Sequence, residues 1–191
     1  GGTLNFSGSI STSTGGAVID IDGTAAGSSI TFDGAASDSI SSVNAGGVEI
    51  FNADGDVDFR IPVSIDNPIS GFLLTGVSIF GDGNGAVSFD DVTIDLPAGS
   101  SNAGIELNGQ QGTVSFDGID VTTNESGVVG LSVFNVGTLN ITGTNRIDST
   151  GGDGITMNDV SNLNATFDSV TVNSSESGFG GGSGITLADI D

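Results

Sequence analysis

The chain has 191 residues, 33 of them glycine, and contains no cysteine, histidine, lysine, tryptophan or tyrosine. Its 24 acidic residues stand against two basic ones, Arg60 and Arg146, for a formal net charge of −22. That balance excludes nucleic acid and anionic membrane surfaces, which need a basic patch. The lack of cysteine excludes a disulfide framework and thiolate metal sites, and no apolar run approaches the ~20 residues that span a bilayer.

Three short words recur along the chain. The first alternates apolar and polar residues and usually ends on Phe: Leu4-Asn5-Phe6, Ile30-Thr31-Phe32, Val57-Asp58-Phe59, Val87-Ser88-Phe89, Val114-Ser115-Phe116, Leu139-Asn140-Ile141 and Ala165-Thr166-Phe167. The second follows within a few residues, as Val63-Ser64-Ile65, Val92-Thr93-Ile94, Ile119-Asp120-Val121 and Val170-Thr171-Val172. The third is Gly, aliphatic, any residue, aliphatic. It reads Gly47-Val48-Glu49-Ile50, Gly76-Val77-Ser78-Ile79, Gly104-Ile105-Glu106-Leu107, Gly130-Leu131-Ser132-Val133, Gly154-Ile155-Thr156-Met157 and Gly184-Ile185-Thr186-Leu187, with glycine-to-glycine steps of 29, 28, 26, 24 and 30. Period-two alternation marks a strand with one buried face.

Cut before each word of the first kind, the chain gives seven three-stranded rungs: 3–28, 29–56, 57–85, 86–112, 113–137, 138–161 and 162–191. In the first, Gly16-Ala17-Val18-Ile19-Asp20-Ile21 sets its glycine early, and in the second Ala35 to Ser39 delays the middle strand. Pro62 and Pro68 mark bulges or strand ends in the third, because proline cannot donate to a ladder. The loops between second and third strands vary most: Leu96 to Ala103, Thr122 to Val129 and Asn173 to Ser183. That edge is where a recognition surface on loops is expected.

Words repeating every ~26 residues stack on their counterparts in parallel, and crossovers between parallel strands are right-handed in nearly all cases. The expected fold is all-β, a right-handed parallel β-helix, or solenoid, with almost no helix. The whole of 1–191 reads as a single segment. Its first and last rungs have no cap, so it is expected to belong to a longer array, with further rungs or other copies stacked end to end. The Phe words should form an interior ladder with rings ~4.8 Å apart.

Several residues are candidates for chemistry. Asp54, Asp56 and Asp58 occupy the same turn as Asp82 and Asn84 one rung later, so their oxygens could converge on calcium; Asp-Gly and Asn-Gly are also ordinary turn formers. Asp90-Asp91 is the adjacent aspartate pair that glycoside hydrolysis would use, although Asp90 also sits where Asp33, Asp117 and Asp168 begin a turn. Phe51, Phe80 and Phe134 each follow the glycine word. They form either a hydrophobic corner over the core, which is the expectation, or an exposed strip for a partner.

The three-strand rung, the Phe ladder and the glycine word resemble the right-handed parallel β-helices of the pectate-lyase-like superfamily. Within it the chain is similar to repeat-rich autotransporter passengers and large secreted adhesins. The resemblance covers essentially the whole chain and implies an extracellular or cell-surface protein, prokaryotic, with a structural or adhesive role and no enzymatic activity. The alternative it leaves open is a carbohydrate-active enzyme or polysaccharide-binding module. Lyases of this kind use an Arg or Lys base, and the hydrolases a His-containing motif; here the arginines fall three rungs apart and histidine is absent.

Overall fold

The computed structural model describes residues 1–13, 15–43, 45–66, 75–96, 103–124, 127–173 and 182–191. The loop residues expected to carry recognition lie mostly outside these, as do Pro68, Pro97, Phe72 and Phe179. None of the described residues is helical.

The described strands are β1 (Thr3–Ser7), β2 (Ile10–Thr12), β3 (Gly15–Thr24), β4 (Ser29–Asp33), β5 (Ile40–Val43), β6 (Ala45–Ala53), β7 (Asp56–Phe59), β8 (Val63–Asp66) and β9 (Val77–Phe80). They continue with β10 (Val87–Phe89), β11 (Val92–Leu96), β12 (Ala103–Asn108), β13 (Thr113–Thr123), β14 (Val129–Thr150), β15 (Ile155–Ala165), β16 (Ser169–Asn173) and β17 (Ile185–Ile190). All pair in parallel with the strand one level away. The molecule is a parallel β-solenoid with three faces. Val, Ile, Thr and Phe dominate the words because branched and aromatic side chains suit a pleated, half-buried surface.

The first face carries the Phe ladder. Phe6, Phe32, Phe59, Phe89 and Phe116 are in register, followed by Ile141 and Ala165. Ring centroids of Phe32, Phe59, Phe89 and Phe116 are 4.6, 4.4 and 5.2 Å apart and nearly parallel. At the open end Phe6 is tilted by 42° against Phe32.

The last level departs from the sequence reading. Leu139-Asn140-Ile141 pairs with Leu163-Asn164-Ala165, two residues before the expected word, and Val170 pairs with Ile147 instead of opening the second word. A buried amide fixes this register. Asn145 takes the place that Ile119 and Val92 hold in earlier levels. Its Oδ1 accepts from the Ile119 N–H at 3.1 Å, and its Nδ2 donates to the carbonyls of Thr142, Gly143 and Thr166 at 3.0, 3.2 and 2.8 Å. Its own N–H donates to Asp168 Oδ2 at 2.8 Å. Every polar atom of a fully buried side chain is thereby satisfied, which a slipped register would undo. Phe167, displaced from the ladder, packs half-buried against the core edge.

The glycine word has a steric cause. A Cβ on Gly76, Gly104, Gly130 or Gly154 would lie 2.6–2.7 Å from the carbonyl oxygen of the glycine one level on. It would also strike Ile94, Val121, Ile147 or Val170, which reach across from the second face. The column is therefore where two faces of the core close on each other.

Past that word runs a feature the sequence reading passed over. Gly23, Asn52, Gly81, Gly109, Asn135, Asp159 and Asp189 all have positive φ, between 49° and 94°. Each directly follows one of the in-register residues Asp22, Phe51, Phe80, Asn108, Phe134, Asn158 and Ala188. The left-handed conformation turns the chain from the third face onto the next level, and only Gly, Asn and Asp visit it readily.

Candidate functional site

Three groups of outward residues carry the chemistry on this molecule. The first is the turn holding Asp54, Asp56 and Asp58 with Asp82 and Asn84 above it. Consecutive levels bring Asp54 and Asn84 together at this corner, while Asp58 lies along β7 beside Ser88 and Arg60. The oxygens, however, serve as clamps between levels: Asp54 Oδ1 accepts from the N–H and Nδ2 of Asn84 at 3.1 and 3.3 Å, Asp56 Oδ1 from the Ala86 N–H at 3.0 Å, and Asp58 Oδ1 from the Ser88 hydroxyl at 2.6 Å. Among the described residues no three acidic side chains gather closely enough to hold a metal ion. As placed, this donor set does not fit calcium, which wants six or more oxygens turned toward one point.

The clamp recurs elsewhere. Asp153 accepts from the Ser183 N–H and Asp168 from that of Asn145. Within one turn, Asp38 accepts from the Ala35 N–H at 2.8 Å and shapes the detour that delays β5. Short acidic side chains thus tie level to level and close turns.

The second group lies on the corner after the Phe ladder, where Asp33, Arg60, Asp90 and Asp117 follow Phe32, Phe59, Phe89 and Phe116. Arg60 Nε donates to Asp58 Oδ2, and its guanidinium lies 4.0 Å from Asp33. The hydrogen bond to Asp58, then its charge, holds the Arg60 pKa above the ordinary guanidinium value. The Asp90 pKa is raised from its ordinary value, first by desolvation and then by the charges of Asp58 and Asp117, with Arg60 acting the other way. Asp90 and Asp91 are both exposed. Arg146, three levels on, pairs with Asp148 at 2.9 Å and Asp120 at 3.5 Å. Both arginines are spent on neighbouring aspartates.

The third group is on the outer side of β3, β6 and β9. Here Asp20, Glu49 and Ser78 form one column and Asp22, Phe51 and Phe80 the next. Phe51 and Phe134 are 49% and 51% exposed, and Phe80 is half-buried. The expected corner over the core is therefore wrong. The residue before a left-handed turn points outward: the strand residue before it, such as Ile50 or Val133, is buried, and the left-handed residue after it, such as Asn52, is itself out of the core. Phe51 and Phe80, with Asp20, Glu49, Thr75 and Ser78, line a shallow groove of about 240 Å³.

Sequence reading missed the interior polar residues: among the described residues Ser42, Gln110, Thr123, Asn145 and Ser149 are fully buried. Asn145 could have been found, since Asn145-Arg146-Ile147 breaks the aliphatic start of the second word. Gln110 sits where Ala53, Val136 and Val160 are buried in other levels, and its Nε2 donates to the carbonyls of Gly85 and Ala53 at 2.8 and 3.3 Å. The chain matches no protein-family model, no curated protein and no solved structure.

Proposed function

We propose that the chain is a structural or adhesive segment of an extracellular or cell-surface β-helical protein, prokaryotic in origin, with its chemistry distributed along the stack. The observation that carries this reading is the use of the acidic side chains. Asp54, Asp56, Asp58, Asp153 and Asp168 each accept a hydrogen bond from the adjoining level, so the acidic surface belongs to the rod's construction.

A second reading, a carbohydrate-active enzyme or polysaccharide-binding module, rests on the adjacent, exposed aspartates Asp90 and Asp91. One pair of measurements separates the two: attachment of the protein to cells or surfaces, and turnover of acidic polysaccharide, each with Asp90→Asn/Asp91→Asn. The structural reading expects attachment unchanged by the substitutions and no turnover in either protein. Turnover that disappears with the double substitution would replace it with the enzyme.

A further inference from the structure

We propose that the groove between β6 and β9 receives a lysine side chain from a partner polypeptide. Phe51 and Phe80 stand in register one level apart, with Glu49 and Asp20 in register on the adjoining outward column. Outward residues two apart on a strand lie ~7 Å from each other, so two aromatic faces and two carboxylates border one opening. Like-charged carboxylates on successive levels repel, and a cation between them removes that cost. Aromatic faces attract the same cation, and the apolar stem of lysine covers ring surface that water otherwise meets.

Charge complementarity identifies the occupant's source. The chain has no lysine, and its two arginine side chains are paired at other corners with Asp58 and Asp33, and with Asp148 and Asp120. The cation has to come from another molecule. Size narrows it further: 240 Å³ is below the ~300–1,000 Å³ of pockets that enclose a drug-sized ligand, and suits one long side chain. The groove lies on a side of the rod, with Phe51 49% exposed at its edge while Thr75 and Ser78 in its lining are buried.

The test is a titration of the 191-residue protein, followed by NMR, with acetyl-Gly-Lys-Gly-amide and with the same peptide carrying norleucine. The lysine peptide is expected to shift the resonances of Phe51, Phe80 and Ser78, and to bind at least about fivefold more weakly to Phe51→Ser, which leaves the net charge unchanged. Glu49→Gln should weaken it by a similar factor, while Asp95→Asn, an equal charge change on another face, should not. Equal binding of the norleucine peptide would overturn the proposal. So would equal losses from Glu49→Gln and Asp95→Asn, which would mean diffuse attraction to an acidic rod. Calcium chloride that displaced the peptide and bound Phe51→Ser as well as the parent would assign the carboxylates to a metal ion instead.

Discussion

Gly104 and Gly184 open the same word, yet only the first has neighbours where a side chain would go. A Cβ on Gly104 meets Val121 and the Gly130 carbonyl; one on Gly184 meets nothing within 4 Å. Gly104→Ala should cost about 1–3 kcal/mol through overpacking, and Gly184→Ala about 0.5 kcal/mol or less, read from urea unfolding midpoints. Glu106 offers a pH test. Burial raises its pKa in the folded state above the ordinary carboxylate value. The folded protein then holds this proton more tightly than the unfolded chain, so its contribution is fully present below the unfolded value and is lost as pH rises through the folded one. Glu106→Gln should raise the melting temperature at pH 7, with the gap closing below about pH 4. The glycine word was legible as a pattern, but its cause was not, because it depends on which face reaches across the core.

At the scale of the element, strands and register were largely open to reading because each word repeats with the same inward positions. Six of the seven words of the first face stack as read. The seventh failed because Phe167 matched the ladder by residue type, whereas the register follows the Leu-Asn pair and the buried Asn145, and a single polar residue outweighed a ring. Likewise Phe51, Phe80 and Phe134 were expected to cover the core from composition alone. The left-handed residue after each of them was in plain view as Asn52, Gly81 and Asn135, and it turns the corner without the ring. The ladder makes its own prediction. Phe89 is buried between two stacked rings, and Phe89→Ala should cost ~3–5 kcal/mol. Phe6, 44% exposed with one tilted neighbour, should cost clearly less when truncated. Equal thermal shifts for the two would contradict the interior ladder.

For the whole molecule, a charge of −22 spread over one narrow body makes repulsion a general term, relieved by salt at any exposed site. Calcium is a sharper probe. The carboxylates of Asp54, Asp56 and Asp58 already accept hydrogen bonds from the level above, so melting temperatures in millimolar calcium and in chelator at matched ionic strength should agree. A rise with calcium that vanished in Asp56→Asn/Asp82→Asn would show that these side chains leave their clamps for an ion. Charge and cysteine content set limits on partners from the sequence alone. Which outward residues share a groove was hidden, because face and column emerge only when the levels are stacked.

Among the described residues each level bonds to the one before and the one after, with the Gln110 amide alone also reaching Ala53 two levels away, and that has a mechanical meaning. Pulled by its two ends, the rod does not have to yield everywhere at once; it can give up one coil at a time from either end. A coil of 24 to 30 residues occupies only ~4.8 Å of axis but stretches to roughly 80–100 Å once peeled. The stack is thus a spool that stores some twenty times its own height of chain per coil, released in near-equal steps. Tension on an attached segment would be met by lengthening before the remaining coils lose their shape.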